Sequence, residues 1–163
     1  VDDIPPHHRT RASVPGMYLE SMADWWGGRG GHIAVSPVAP LTGADAMALE
    51  RIVRPRFEEF GFDWMSSYHS RGRHMLQVAL ILFNRDDADQ ARRARELSTV
   101  VIRDLAAAGY GEYRTHLAIM DQAAAVYDFN GGALGRLHTR LKDALDPAGI
   151  LSPGKQGVWP SAR

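Results

Sequence analysis

Two short stretches gather the residue types that can do chemistry. In Gly30-Gly31-His32-Ile33-Ala34-Val35-Ser36-Pro37 an imidazole enters a strand directly from a glycine cluster. In Gly109-Tyr110-Gly111-Glu112-Tyr113-Arg114-Thr115-His116 a phenol, a guanidinium and an imidazole are concentrated where the chain leaves one helix for another. An imidazole changes charge near neutral pH, so His32 could act as a base, a nucleophile or a ligand, or simply bond to neighbours at a strand end. A tyrosine and an arginine at a helix junction can bind an anion, or satisfy backbone groups and acids there.

Other chemistries find less support. Of the seven histidines, His69 and His74 flank a hairpin turn, but no carboxylate completes a ligand set, so no metal is expected. There is no Gly-x-Ser-x-Gly elbow and no glycine-rich phosphate loop leading into a helix. With no cysteine, thiolate chemistry and disulfides are excluded, which fits the cytoplasm.

The elements that must position these residues follow from periodicity and breakers. Val1 to Arg11 is polar and proline-rich and reads as a linker or surface loop, and Met17 to Trp26 as a short helix ended by glycines. His32 to Val38 reads as a strand. Thr42-Gly43-Ala44-Asp45 is a loose capping box opening a helix to Phe60, with Met47, Leu49, Ile52, Val53, Phe57 and Phe60 as its apolar stripe and a kink or early end at Pro55. Phe62 to Ser70 and Arg73 to Asn84 form a hairpin around Arg71-Gly72, its second strand apolar on both faces. Asp86 and Asp87 start a helix that ends near Gly109, with Ala94, Leu97, Val101 and Leu105 inward and Arg92, Arg93, Arg95 and Arg103 solvated. This order predicts an α+β, ferredoxin-like unit with a boundary near Gly109. Two helices should follow, Thr115 to Phe129 and Ala133 to Leu145, the second burying Leu134, Leu137, Leu141 and Leu145, before the Asp146-Pro147-Ala148-Gly149 turn and an irregular tail.

Length and composition bound the rest. The chain has 163 residues, 45% of them hydrophobic, enough for one packed domain or part of a larger one. Nineteen basic and nineteen acidic side chains cancel, which argues against a polyanion partner such as nucleic acid. No apolar run approaches the roughly 18 to 20 residues a membrane span needs. Because the sequence opens on Val1 without the apolar core of a secretory signal, a fragment of a longer polypeptide is expected.

Taken together, three segments resemble the vanillyl-alcohol oxidase branch of covalent flavoproteins, which includes eugenol oxidase and p-cresol methylhydroxylase. They are Gly31 to Pro37 with Gly43-Ala44-Asp45-Ala46-Met47, Gly109 to Gln122, and Leu145 to Pro160. Asp146-Pro147-Ala148-Gly149-Ile150-Leu151-Ser152-Pro153-Gly154-Lys155 is shared by many flavin oxidases of this fold, whereas Gly111-Glu112-Tyr113-Arg114-Thr115-His116-Leu117 is narrower. The resemblance implies that residues 1–109 are the latter part of a substrate-covering cap domain. Residues 110–163 would be the segment returning to the FAD-binding domain, whose N-terminal region would be a partner outside this chain.

It further implies FAD bound covalently, with His32 joined to the flavin 8α-methyl carbon; that bond requires a neutral imidazole. Tyr113 and Arg114 would hold the substrate as its phenolate, Arg114 also favouring negative charge on reduced flavin. Lys155 would face the flavin edge or cap a turn, and Ala34 and Ser67 would wall the pocket. Glu20 lies near a cap-domain carboxylate of relatives or is a surface carboxylate. The implied activity is oxidation of para-substituted phenols, with molecular oxygen as acceptor and hydrogen peroxide as product, by a homo-oligomer. In p-cresol methylhydroxylase the covalent link uses a tyrosine, so His32 argues for the oxidase side. The alternatives are a cytochrome-linked dehydrogenase of the same fold and a ferredoxin-like interaction module without flavin.

Overall fold

The computed structural model describes residues 29–161, so the expected linker, the helix at Met17 to Trp26 and Glu20 lie outside the described residues. Strands β1 (Gly30–Val35) and β2 (Pro37–Pro40) run along one edge of β4 (His74–Asn84) without a slip in register, Val35 opposite Ala79 and Val38 opposite Leu76. Ser36 separates the two strands, and Pro37 brings no N–H to the ladder. Strand β3 (Ser66–Arg71) takes the other edge of β4, and the two-residue β5 (Gly111–Glu112) pairs with β2. Every pairing is antiparallel. Helix α1 (Gly43–Glu59) links β2 to β3, and α2 (Ala88–Ala107) links β4 to β5. Each helix thus joins two strands that flank a third, the split βαβ arrangement of a ferredoxin-like sheet, as the sequence order predicts.

Side chains alternate along β1 and β2, so Ile33, Val35 and Ala39 face the helices. They meet Met75, Ala79 and Ile81 of β4, Leu49, Val53 and Phe57 of α1, and Ala94, Leu97, Val101, Ile102 and Leu105 of α2. Burying each of the larger side chains contributes about 1.5 to 3 kcal/mol. Phe57 and Trp64 pack edge to face at 5.0 Å. The helix starts agree with their signals: Thr42 accepts from the Asp45 N–H at 3.1 Å, and Asp87 from the Asp89 and Gln90 N–H groups at 3.0 Å.

Several expectations need correction. Met47 is 56% exposed, because it precedes Leu49 by two positions, about 200° around the helix axis. Pro55 does not end α1, which runs on to Glu59; Pro55 and Arg51 both lie on the exposed side, where the carbonyl freed by the missing N–H can meet water. The hairpin turn is Gly72-Arg73, one residue later than expected, because Arg71 pairs with His74. Arg93 is not simply solvated: its guanidinium lies 5.2 Å from the Phe62 ring centre and donates to the Phe60 carbonyl.

Beyond β5 the expected long helix is a single turn at Leu117–Ile119 followed by the short α3 (Met120–Ala125). The chain leaves the helix so that the Tyr127 hydroxyl can donate to the Glu112 carbonyl at 2.8 Å. Helix α4 (Phe129–Leu145) has left-handed backbone at Asn130, Gly131 and Gly132 and is regular after them. Its expected buried side is open: Leu137, Leu141 and Leu145 are 53%, 49% and 79% exposed, since nothing among the described residues covers that face. No helix among the described residues is long and apolar enough to cross a membrane.

Candidate active site

The glycine before His32 is sterically required. A Cβ on Gly31 would lie 2.8 Å from the Arg85 side chain and 2.9 Å from the Phe83 ring. Strand β1 therefore passes close under these side chains and presents His32 exposed on the face turned away from the helices. On that same face Ala34, Met65, Val78 and Leu82 pack against Leu80, giving a small apolar platform beside the imidazole.

Four residues along from His32, about 13 Å at strand spacing, Ser36 ties in the second stretch. Its N–H donates to the Glu112 carboxyl at 2.5 Å, and its carbonyl accepts from the Tyr113 N–H at 2.8 Å. Both backbone groups of one residue thus hold the Glu112-Tyr113 dipeptide. The side chains of Tyr113 and Arg114 emerge exposed just beyond it. His116 follows, its Nδ1 accepting from the Ala118 N–H at 3.2 Å to cap the turn. Burial, then the nearby charges of His32 and Arg95, push the His116 pKa below the ordinary histidine value, which favours its neutral form.

Glu112 is the most perturbed group. It is 8% exposed, its Oε2 has no partner among the described residues, and burial pushes its pKa up to about 7 against the opposing bond from Ser36. It lines a cavity of about 480 Å³ with Thr115, Asp121, Tyr127, His138 and Gly157. Such a carboxyl is neutral for much of the population at neutral pH.

The C-terminal tail closes the other side of that cavity. Asp146 accepts from Lys142 and from the N–H groups of Leu151 and Ile150, which explains its place at the head of the turn and holds its pKa below the carboxylate norm. Gly157 packs directly on Ala124 of α3, and the Trp159 indole donates to Asp121 at 2.7 Å. Lys155 is exposed in the turn Lys155–Gly157 and lines a different cavity, with Leu117, Asp121 and Trp159.

Ser36 thus ties the start of the Tyr113-Arg114 pair to the end of the strand that bears His32, while Lys155 lies on the tail beside a different cavity. Ala34 belongs to the platform, while Ser67 is exposed and bonds His69 at 3.0 Å. Among the described residues no three His, Cys, Asp or Glu side chains form a metal-binding group. The sequence reading missed the parts played by Ser36, Glu112 and Tyr127. A glutamate between glycine and tyrosine inside the narrowest motif was the available signal for Glu112.

A family described as FAD linked oxidases, C-terminal domain, matches residues 23–156. The chain belongs to this family. As a C-terminal domain of FAD linked oxidases it spans about a quarter of the length of its curated relatives. It is 25% identical over 147 residues to the 4-cresol dehydrogenase [hydroxylating] flavoprotein subunit of Pseudomonas putida, covering 90% of this chain and 27% of that protein. To the 1'-carboxy-chondrochloren decarboxylase of Chondromyces crocatus it is 30% identical over 138 residues, covering 82% and 25%. The solved 4-ethylphenol oxidase from Gulosibacter chungangensis, in its isoeugenol complex, matches with a TM-score of 0.81 and 35% identity over 85% of this chain and 26% of that one. A p-cresol methylhydroxylase with substrate bound shares the fold, with a TM-score of 0.75 and 24% identity over 79% of this chain and 24% of the other.

The family's cofactor is FAD, and the FAD linked oxidase domain has residues that fit a flat ring system. An exposed imidazole stands at the end of an apolar platform whose smallest member is Ala34, so a planar group can lie on the sheet face beside His32.

Proposed function

We propose that the domain belongs to an enzyme that oxidises para-substituted phenols such as vanillyl alcohol, eugenol and 4-alkylphenols with FAD. The observation that carries this reading is the pair of hydrogen bonds from Ser36 to Glu112 and Tyr113, which anchors the exposed Tyr113-Arg114 pair at the end of the strand that bears His32. Residues 1–109 would form the latter part of the substrate-covering domain and residues 110–163 the segment that returns to the FAD-binding domain. His32 would hold the flavin through a bond to its 8α carbon, which needs the neutral imidazole. Lys155, exposed on the tail, would face the flavin edge.

The flavin, when bound, accepts a hydride at N5. This chain's part is to make the substrate a better donor. A phenol with pKa near 10 is almost wholly protonated at neutral pH, whereas its phenolate pushes electrons toward the benzylic carbon. Arg114 supplies a permanent positive charge and Tyr113 a hydroxyl donor, and both stabilise the anion. Hydride loss from the phenolate leaves a quinone methide, to which water adds. Oxygen would then take the two electrons and give hydrogen peroxide. The likeness to a 4-cresol dehydrogenase flavoprotein subunit supports a second reading, in which a cytochrome takes them instead.

Stopped-flow reduction in the complete flavin-bearing protein tests the proposal. Arg114→Ala and Tyr113→Phe should each slow reduction by a 4-alkylphenol about a hundredfold, if they act as strongly as oxyanion-hole donors. Part of the loss should return at high pH, where the substrate ionises unaided. Rapid oxidation of the corresponding O-methyl ether, or unchanged rates in both variants, would remove the phenolate role. In the same preparation, a flavin that stays on the denatured His32→Ala chain would place the covalent bond elsewhere.

A further inference from the structure

We propose that Glu112 is the positioning residue of this site, its carboxyl fixing Tyr113 and Arg114, by way of Ser36, against the strand that carries His32. The inference rests on the reading that Tyr113 and Arg114 hold the phenol oxygen. Three observations converge on it. The carboxyl accepts from the Ser36 N–H while the next residue's N–H donates to the Ser36 carbonyl, so the dipeptide can neither slide nor rotate without breaking both bonds. The Glu112 carbonyl accepts from the Tyr127 hydroxyl, which ties the same residue to the segment after α3. Its Oε2 is buried at the wall of the cavity and has no protein partner among the described residues.

Charge decides how the clamp works. The titratable groups around the cavity are Asp121 on α3, Tyr127 after it and His138 on α4. No cation bonds Glu112 among the described residues. Ionising it leaves an uncompensated charge in a poorly hydrated wall, and burial accordingly pushes its pKa up to about 7. Below that value the neutral acid accepts from Ser36 through one oxygen and presents an O–H at Oε2 to the cavity. Above it the carboxylate accepts more strongly from Ser36, while its charge at Oε2 demands water or a cation from the cavity.

The test uses the complete flavin protein and 4-tert-butylphenol, which carries no hydrogen on its benzylic carbon and so binds without reacting. Titration is followed by the change in flavin absorbance from pH 5.5 to 8.5. Glu112→Ala should weaken binding about tenfold at pH 6, the size of one lost hydrogen bond. Glu112→Gln, which keeps a neutral acceptor for Ser36, should restore it to within about threefold. A plot of log Kd against pH should bend near pH 7 in the native protein and run straight in Glu112→Gln. Native binding in Glu112→Ala, equal weakness in both variants, or a bend that survives in Glu112→Gln would each overturn the proposal. Should Glu112→Ala fail to fold, the bend alone decides. Arg114→Ala and Tyr113→Phe are measured alongside. If they leave Kd unchanged, the phenol-site reading fails; if they weaken binding while the Glu112 variants do not, only the positioning role fails.

Discussion

Glu112 also marks the stability of the fold, separately from any ligand. Its folded pKa of about 7 stands above the ordinary 4.5, so between these values the folded chain holds a proton that the unfolded chain has released. Folding stability is then full below about pH 4.5, falls as pH rises through that window, and levels off above about pH 7. Complete expression of the shift is worth about 3 kcal/mol. Urea unfolding of this chain at pH 5 and pH 8 should show the fall, and Glu112→Gln should remove most of it. An equal pH dependence in the variant would mean that the burial penalty belongs to another group. His116 works in the opposite direction, since burial and the charges of His32 and Arg95 disfavour its proton. Two neighbours in one motif are thus both pushed toward their uncharged forms, the buried Glu112 far more than the exposed His116.

Between the elements, the tail depends on one glycine. Gly157 has φ of +72° and sits directly on Ala124, so Gly157→Ala adds both backbone strain and a steric clash. A cost of about 2 to 4 kcal/mol is expected. Adding Ala124→Gly should return the part due to the clash, and a double-mutant cycle by urea midpoint would measure it. A cycle with no coupling would show that the tail adjusts without touching α3. Such contacts could not be read from the sequence, because the glycine and the alanine belong to segments joined by the whole of α4.

The elements with a long period were legible. In α2 each of Ala94, Leu97, Val101 and Leu105, spaced for one helix face, is buried. The strand carrying His32 and the hairpin were readable from β-branched residues and breakers, apart from the break at Ser36 and the one-residue shift of the turn. What stayed hidden has no period. Strand β5 is two residues long, so nothing in its own sequence says that Glu112 turns inward toward Ser36. Tyr113 and Arg114 were legible as residue types and Lys155 as part of a motif. The sheet anchors the pair at Ser36, whereas the lysine sits on the tail. In α4 the spacing of Leu137, Leu141 and Leu145 correctly marks an apolar face, but spacing carries no information on what lies against it.

At the scale of the whole molecule, that uncovered face is the main feature. With Ile150 and Leu151, also 74% and 63% exposed, the α4 leucines put several large apolar side chains in water at one end of the chain. Isolated monomers rarely carry such surface. This chain on its own should therefore associate as its concentration rises, and Leu141→Glu with Leu145→Glu should reduce that association in sedimentation measurements. A monodisperse native chain at high concentration would show that the leucines find shelter within it. Because the chain spans about a quarter of its relatives' length, it should also fail to bind flavin tightly when alone. Saturable submicromolar quenching of flavin fluorescence by the isolated chain would contradict this.

The bond from Ser36 to Glu112 spans 76 positions and closes a loop that contains both long helices and the hairpin. Contacts of such long range come late in folding, because their chain entropy must be spent before they return anything. Strand β5 contributes only two residues to hold that closure. Tyr113 and Arg114 are therefore expected to reach their places only after α2 has docked and β4 has found its register. A chain with a slipped sheet retains every residue of the site and none of its geometry. Activity in the complete protein would thus act as a built-in gauge of correct assembly, falling before bulk secondary structure is lost.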